Sequence, residues 1–352
     1  MTLDWIETPA LIVDLDIFEE NIRIMKGFVE EAGFILRPHY KSHKCPYIAR
    51  LQIKEGAKGI TCAKLSEAED LVFSGIEDVL IANQITQPSK IAQAAYLAGC
   101  CRLTVCVDCA VNIKALEAAA SIQGTIIHCL VEYEVGMNRC GVATTEDFLA
   151  LARQIDACTH LVFEGIQAYA GHLSHEMDYE TRKNESEAVE SRLKELKECL
   201  ERVGLPAKEV SGNSTGTVEF CLRGSAFTEM QAGSYLFMDS SYGKMQLVFK
   251  NALFLLTQVI SINPKRVVVD GGMKSISVDQ AMPFFREYPG IPVKLSEEHA
   301  TMPNPGGIEM GNRLLLIPGH CCTTVNLHDF IYLVRNGKVV DRVSVISRGK
   351  SI

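Results

Sequence analysis

Short apolar runs alternate with longer segments of helical period between about Ile35 and Asp239. Strands that lack polar alternation are buried on both faces, as in a parallel sheet covered by helices. The runs are Gly59–Ala63, Asp78–Ala82, Leu103–Val107, Ile126–Val131, Gly165–Tyr169 and Glu209–Ser211, and the helical segments include Ser66–Ser74, Pro88–Ala98 and Thr181–Val203. Roughly seven or eight such units predict an α/β fold with a (β/α)₈ barrel, and an open doubly wound sheet is the less favoured alternative.

The pattern changes after about Tyr242, where Leu253–Ile260, Arg266–Asp270 and Phe330–Val334 read as strands. Asn336-Gly337 is typical of a tight hairpin turn before Lys338–Val340. Near the start of the chain, Thr8–Asp14 is also strand-like and could pair with this region. We therefore predict two domains: a barrel over residues 14–241, and a β domain formed by residues 1–13 and 242–352.

The charge and cysteine content narrow the possible functions. A net charge of −8 without Lys/Arg blocks argues against nucleic acid or an anionic membrane as the main partner. No apolar run approaches the ~20 residues of a spanning helix. Thirteen cysteines are too many, and odd in number, for a disulfide framework in a chain of this length. Together with a start that lacks the features of a signal peptide, this leads us to expect a cytoplasmic protein with reduced thiols.

The first candidate site is the cluster Arg37–Cys45, directly after the apolar Gly33–Leu36. In a parallel barrel, catalytic groups lie at the carboxyl ends of strands, where this cluster falls. A lysine among other cations loses its proton more easily, so Lys41 could form a Schiff base. A solvated basic loop is the alternative.

The second candidate is the loop Ser211–Thr217, which also follows a short strand. Its small residues allow backbone N–H groups to converge and its hydroxyls add donors, so the loop suits a phosphate. An ordinary Gly/Ser turn is the alternative.

The third candidate is the pair His320 and Cys322, which would point the same way in an extended segment and could chelate one divalent ion. Two protein ligands would leave positions open for water or substrate, as in a catalytic metal site. Further polar residues stand at presumed strand ends. They are Asp108, Glu132, Arg139, Gln167, Tyr169, His172, Tyr235 and Asp239. Their joint placement favours one site.

Taken together, these motifs resemble the fold-type III pyridoxal-phosphate enzymes of the D-threonine aldolase / D-serine dehydratase family. The resemblance covers nearly the whole chain. It rests on Thr8–Asp14, Arg37–Lys44, Val131–Val142, Gly165–Tyr169, Gln231–Asp239 and His320–Asp329. It implies an alanine-racemase-like (β/α)₈ barrel followed by a C-terminal β domain, assembled as a homodimer.

The resemblance also implies roles for individual residues. Lys41 would carry pyridoxal 5'-phosphate, and His320 with Cys322 would hold zinc or manganese. A histidine such as His43 or His172, or metal-bound hydroxide, could serve as the base. The remaining cofactor-binding residues would be Arg139, Gln167, Tyr169, Asn213, Ser214, Thr215, Gly216, Thr217, Gly233, Ser234 and Tyr235. The substrate would be a β-hydroxy-D-amino acid.

Two lyase reactions fit these residues. The stretch Thr324–Asp329 favours an aldolase, which releases glycine and an aldehyde. However, such aldolases usually carry aspartate where Cys322 stands, while the dehydratases, which give a keto acid and ammonia, have His-x-Cys. Thiolate shifts the metal preference from Mn²⁺ or Mg²⁺ toward Zn²⁺. We favour the aldolase, with the dehydratase as the alternative and an amino-acid racemase as a remoter one, because a racemase would leave the metal pair without a purpose.

Overall fold

The structure is a computed structural model that describes residues 2–352. Contacts divide the chain into two compact units. We call the first the β unit; it comprises Met1–Met25 (as far as described), Ser42–Tyr47 and Ser234–Gly349. The second, the barrel unit, comprises Lys26–Lys41, Ile48–Gly233 and Lys350–Ile352. The domain limits drawn from the sequence at 14 and 241 stay a prediction.

The chain begins with β1 (Ala10–Asp14) and α1 (Leu15–Ala32), and the barrel strands follow. They are β2 (Ile35–Leu36), β3 (Ile60–Cys62), β4 (Asp78–Gln84), β5 (Arg102–Val107), β6 (Ile127–Glu132), β7 (Leu161–Ala168), β8 (Glu209–Gly212) and β9 (Glu229–Met230). The helices between them are α2 (Pro46–Lys54), α3 (Leu65–Phe73), α4 (Pro88–Leu97), α5 (Ala110–Gln123), α6 (Thr145–Asp156) and α7 (Tyr179–Arg202).

The eight strands form one parallel sheet in the order β2-β9-β8-β7-β6-β5-β4-β3. A parallel bridge between His39 and Thr61 joins its two ends. The sheet confirms the α/β barrel expected from the apolar runs, and the open doubly wound alternative is wrong. Strand β4 shows why the pattern was visible in the sequence. Its residues Val79, Leu80 and Ile81 are all fully buried, so neither face of the strand needs polar residues and the sequence is a continuous apolar run.

Helix α7 shows how the outer layer of the barrel unit is built. Its sequence is rich in Glu and Lys, yet Val189, Leu193, Leu196 and Leu200 are buried at helical spacing. The Asp178 side chain accepts the backbone N–H of Thr181 and caps the start of the helix. This single apolar stripe packs inward and leaves the charged face to water.

The β unit contains a mixed nine-stranded sheet. Its remaining elements are β10 (Leu253–Asn263), β11 (Arg266–Val269), β12 (Phe284–Phe285), β13 (Lys294–Leu295), β14 (Ala300–Pro303), β15 (Arg313–Ile317), α8 (Cys321–Val325), β16 (Phe330–Arg335) and β17 (Lys338–Ser344). As expected from Thr8–Asp14, β1 pairs with this sheet, antiparallel to β10 and parallel to β16. The predicted hairpin is confirmed, since Asn336 and Gly337 both have positive φ and join β16 to β17.

All thirteen cysteines of the chain lie within the described residues, and none of them forms a disulfide. Most of them are buried or half-buried, as small apolar side chains are. Within residues 2–352 we find no helix with the length and apolar character that crossing a membrane requires.

Candidate active site

Lys41 lies in a 3₁₀ helix, Tyr40–Ser42, that follows strand β2. The carboxyl ends of parallel strands meet at one edge of a sheet, so residues that follow other strands reach the same place. They enclose a cavity of about 170 Å³ that we call the lysine cavity. It is lined by His39, Lys41, Ala63, Ala82, Asn83, Gln84, Arg139, Cys140, Gln167, Tyr169 and Gln231. Four predicted site residues, Lys41, Arg139, Gln167 and Tyr169, therefore line one cavity.

The ring of Tyr169 organises the cations in this cavity. Lys41 Nζ lies 5.4 Å from the ring centroid, and the guanidinium carbon of Arg139 lies 5.6 Å from it. Both distances are within the range of a cation–π contact. The Tyr169 hydroxyl is 3.2 Å from Ser174 Oγ, which fixes the ring from its far end. The cavity thus offers an amine, a guanidinium and an aromatic face.

A buried carboxylate stands behind Arg139. Burial raises the pKa of Glu132, although a hydrogen bond from Gln84 and the charge of Arg139 act in the opposite direction. Gln84 Nε2 donates to Glu132 Oε2, and Arg139 Nη2 lies 3.9 Å from Glu132 Oε1. Glu132 therefore faces Arg139 from a position that water scarcely reaches.

The loop after β8 has the shape expected of a phosphate site. Asn213 adopts a left-handed conformation with φ of 62°, and the chain then enters a 3₁₀ helix, Thr215–Phe220. The N–H of Ser214 donates to Thr217 Oγ1 at 3.0 Å. Asn213 Nδ2 is buried and has no hydrogen-bond partner among residues 2–352. Because a buried amide donor without a partner is costly, this nitrogen fits an acceptor such as a phosphate oxygen.

The remaining predicted cofactor residues lie at the junction of the two units in the sequence. Gly233 ends a segment of the barrel unit, whereas Ser234 and Tyr235 belong to the β unit. Tyr235 is fully buried and its ring centroid lies 5.8 Å from that of Phe249. Gly233 therefore shares the barrel unit with the Asn213 loop, and the cofactor-binding roles of Gly233, Ser234 and Tyr235 stay a prediction.

His320 and Cys322 interact, but not in the extended segment that we expected. His320 has extended angles as the N-cap of α8, while Cys322 lies in the first turn of that helix. The expectation of an extended strand is wrong, because Pro318-Gly319 ends β15 and a helix starts at once. Cys322 Sγ lies 3.5 Å from Ser42 Oγ and 3.6 Å from Ser234 Oγ.

Asp279 holds the other side of the His320 ring. His320 Nδ1 is 2.8 Å from Asp279 Oδ2. Burial alone would lower the pKa of His320, but contacts with Cys322 and Asp279 raise it to about 9. A carboxylate behind a histidine fixes the tautomer so that Nε2 can ligate a metal. Over residues 2–352 no three His, Cys, Asp or Glu side chains converge as a metal site. The donor set that fits an ion is therefore one imidazole nitrogen and one sulfur.

The two candidate bases have different surroundings. His43 is fully buried in the β unit, and its Nδ1 accepts the backbone N–H of Cys45 at 3.2 Å. His172, in the barrel unit, is exposed, and its Nε2 lies 3.6 Å from Glu185 Oε2. Its ring packs on Gly136, where a Cβ would lie 2.9 Å from His172 Cε1. Neither histidine lines the lysine cavity.

Sequence reasoning missed three residues of these sites. Ser42 and Gln231 lie inside motifs that the sequence analysis names, so their nearness to the site could be predicted, but their contacts could not. Asp279 comes from an irregular segment between β11 and β12 that has neither a motif nor a period. Only the folded chain brings it to His320.

Family models match both parts of the chain. The model described as alanine racemase, N-terminal domain, matches residues 13–241, and the putative serine dehydratase domain matches residues 252–334. The fold and the lysine cavity thus define an alanine-racemase-type pyridoxal-phosphate enzyme.

Similar proteins narrow the class. A 3-hydroxy-D-aspartate aldolase of Paracoccus denitrificans (strain Pd 1222) is 40% identical over 98% of this chain and 93% of its own length. A D-threonine aldolase of Arthrobacter sp. is 37% identical over 98% and 94%. The crystal structure of D-threonine aldolase from Filomicrobium marinum superposes with a TM-score of 0.96 at 35% identity, covering 100% of this chain and 98% of that one. The chain belongs to the D-threonine aldolase / D-serine dehydratase family, and it is a pyridoxal-phosphate-dependent lyase.

A dehydratase is also similar to the chain. The D-threo-3-hydroxyaspartate dehydratase of Delftia sp. (strain HT23) is 30% identical over 92% of this chain and 93% of its own length. Its structure has a TM-score of 0.89 at 26% identity and covers 97% of this chain and 98% of that one. Further structures of it carry a histidine-to-alanine or a cysteine-to-alanine substitution, the latter in a metal-free form.

Proposed function

We propose that this protein cleaves the Cα–Cβ bond of β-hydroxy-D-amino acids to give glycine and an aldehyde. It would use pyridoxal phosphate on Lys41 and a divalent metal, zinc or manganese, on His320 and Cys322. The observation that carries the proposal is the lysine cavity, in a chain whose similarity to two aldolases extends over 98% of its length.

The residues of the barrel unit fit the cofactor. Lys41 supplies an amine on the cavity wall, and Tyr169 supplies an aromatic face beside it. The unpartnered Asn213 Nδ2 supports a role of its loop in holding the phosphate. When bound, pyridoxal phosphate accepts the electron pair that remains on Cα after Cβ departs.

The residues of the β unit fit the metal. With Nδ1 of His320 directed to Asp279, Nε2 and the Cys322 sulfur would be the ligands, and the remaining positions would be open to substrate oxygen. Ser42 contacts Cys322 and directly follows Lys41 in the sequence. One short segment therefore carries the proposed cofactor lysine and a residue that contacts a proposed metal ligand. A thiolate ligand favours Zn²⁺.

The proton transfers of the cleavage reaction require one base. The base takes the proton of the β-hydroxyl, the oxygen becomes the aldehyde carbonyl as Cα–Cβ breaks, and Cα then gains a proton to give glycine. His172 is the better supported candidate, because it is exposed and so can be reached by substrate, and Glu185 lies beside its Nε2. His43 is fully buried, and one of its ring nitrogens is already used by Cys45.

Dehydration is the second candidate function, and Cys322 favours it. The two substituted positions in the dehydratase structures lie two residues apart, a histidine before a cysteine, as His320 and Cys322 do. In this reaction Lys41 would remove the Cα proton and the β-hydroxyl would leave.

Product analysis decides between the two reactions. The metal-loaded holoenzyme is incubated with D-threonine, D-3-hydroxyaspartate and D-serine. Glycine plus an aldehyde from either of the first two substrates supports the aldolase. Formation of 2-oxobutanoate, oxaloacetate or pyruvate with stoichiometric ammonia, and no glycine, would replace it with the dehydratase.

We further propose a homodimer and a cytoplasmic location. The dimer rests on the family resemblance, and a reducing compartment suits thirteen cysteines that form no disulfide. Sedimentation velocity of the holoenzyme tests the dimer, and a single species of monomer mass would contradict it.

A further inference from the structure

A chain of polar side chains runs from the wall of the lysine cavity into the barrel. Gln231 Nε2 donates to Gln167 Oε1 at 2.7 Å and to Ser211 Oγ at 2.8 Å. Ser211 Oγ donates to Glu229 Oε1 at 2.6 Å, and Arg37 Nε lies 2.9 Å from the same oxygen. All five side chains are buried, and the first two line the lysine cavity. We call this chain the relay.

The hydrogen bond at the inner end of the relay sets the direction of the others. Glu229 Oε1 faces Arg37 Nε and accepts the hydroxyl hydrogen of Ser211. Ser211 has only this one hydrogen, so it can only accept from Gln231. Gln231 then uses both amide hydrogens, one on Ser211 and one on Gln167.

The outer end of the relay is consequently a donor. The Gln167 oxygen is occupied by Gln231, and Gln167 Nε2 lies 3.4 Å from Gln231 Oε1. The amide group of Gln167 has two hydrogens, and the contact with Gln231 Oε1 takes no more than one of them. The second hydrogen is available to the lysine cavity, which Gln167 lines.

We propose that the ion pair of Arg37 and Glu229 acts through Ser211 and Gln231 to present the Gln167 amide N–H to an oxygen of the bound ligand. Arg37, Glu229, Ser211 and Gln231 are positioning residues, since they act through Gln167. The inference rests on the proposed function, because that function supplies the ligand. The oxygen belongs either to pyridoxal phosphate or to the carboxylate of the amino acid.

The test removes one link of the relay and leaves both ends in place. Ser211→Ala deletes the hydroxyl that fixes the Gln231 amide, and Gln167→Met deletes the terminal donor. Thr61→Val is the matched control, because Thr61 is an equally buried strand hydroxyl that bonds the Arg37 carbonyl outside the relay. The dissociation constant of pyridoxal phosphate is measured by fluorescence titration of the apoenzyme. The KM is measured for whichever of D-threonine and D-3-hydroxyaspartate the parent protein cleaves.

We expect Ser211→Ala and Gln167→Met each to raise either the dissociation constant of pyridoxal phosphate or the KM about 3- to 10-fold. A rise in the cofactor dissociation constant places the oxygen on pyridoxal phosphate, and a rise in KM alone places it on the substrate. In the double variant Ser211→Ala should add nothing to Gln167→Met, because its effect passes through that residue. Thr61→Val should leave both quantities unchanged.

Parental values of both quantities in Ser211→Ala, or additive effects in the double variant, would overturn the relay. Ser211→Cys fills the same space with a weak acceptor and replaces Ser211→Ala if that variant does not fold. If the parent protein binds pyridoxal phosphate but cleaves neither amino acid, the proposed function fails. The cofactor dissociation constant then decides the relay by itself.

Discussion

The barrel unit and the β unit place their functional groups on different kinds of structure. In the barrel unit, Lys41, Gln167 and Asn213 stand just beyond or at the ends of strands of the parallel sheet, and the sheet fixes where those ends are. In the β unit, His320 begins a short helix and takes its carboxylate partner, Asp279, from an irregular segment. The comparison teaches that site residues at strand ends can be predicted from the sequence. Site residues in irregular segments cannot, because no motif or periodicity in the sequence marks them.

The buried charges of the two units differ in the same way. Arg37 is fully buried in the barrel unit between Glu229 and Asp78. Burial alone would lower its pKa, but these carboxylates raise it above the usual range. In the β unit, the fully buried carboxylate of Asp239 instead accepts the backbone N–H of Cys321 at 2.9 Å. The barrel unit therefore sets a buried cation between carboxylates, whereas the β unit holds a buried carboxylate with a backbone donor.

The largest expected effect comes from the lysine of the barrel unit. Lys41→Ala should lower activity by at least about 10³-fold, because no other amine of residues 2–352 lines the lysine cavity. Borohydride reduction followed by peptide mass analysis should find pyridoxal phosphate attached at Lys41 in the parent and nowhere in the variant. Lys44→Ala is the control and should keep the modification. A Lys41→Ala protein that is still labelled would refute the assignment.

The next effect concerns the internal charge. Arg37→Met should lower the free energy of unfolding by about 3–5 kcal/mol, because the buried Glu229 loses its nearest cation and Lys58 lies farther away, at 3.8 Å. Arg335→Met, which removes a surface arginine paired with Asp16 and Glu19, should have almost no effect. Urea unfolding followed by circular dichroism measures both. Equal effects in the two variants would remove the contrast between the units.

A smaller effect is expected at the metal pair of the β unit. Asp279→Ala should weaken metal binding about 10- to 100-fold, because the carboxylate no longer orients His320. Competition with a chromophoric chelator measures the affinity for Zn²⁺ and Mn²⁺. Glu298→Ala, which removes an exposed carboxylate of the same unit, is the control. Unchanged affinity in Asp279→Ala would show that the ring is held by other contacts.

The smallest effect is a pH dependence in the barrel unit. Burial would raise the pKa of Glu164, but His128 and Arg102 lower it below the usual value. Glu164 therefore stabilises the fold above its ordinary pKa of about 4.3, and this contribution is lost as the pH falls through the lower folded value. Glu164→Gln should lose less stability than the parent between about pH 5 and 3. Urea midpoints measured across this range test it, with the exposed Glu146→Gln as control. Parallel pH curves for the parent and Glu164→Gln would contradict it.

The sequence predicted the barrel because buried strands of four to eight residues, such as β4 and β7, carry an unmistakable apolar run. It did not predict β12 or β13, since a two-residue strand has no period. The partners within the lysine cavity follow from strand order, but the bond from Ser211 to Glu229 depends on side-chain orientation inside the barrel. Asp279 could not be predicted, because its position results from a long irregular path.

The short strand β2 has a consequence for the motion of the barrel. Only two of its residues pair with β9, whereas six residue pairs join β6 to β7. Its other side meets the neighbouring segment through the bridge between His39 and Thr61. Lys41 thus follows the least extensively paired part of the wall. We expect amide hydrogens there to exchange before those of β6 and β7, so that the barrel would open most readily beside the proposed attachment point of the cofactor.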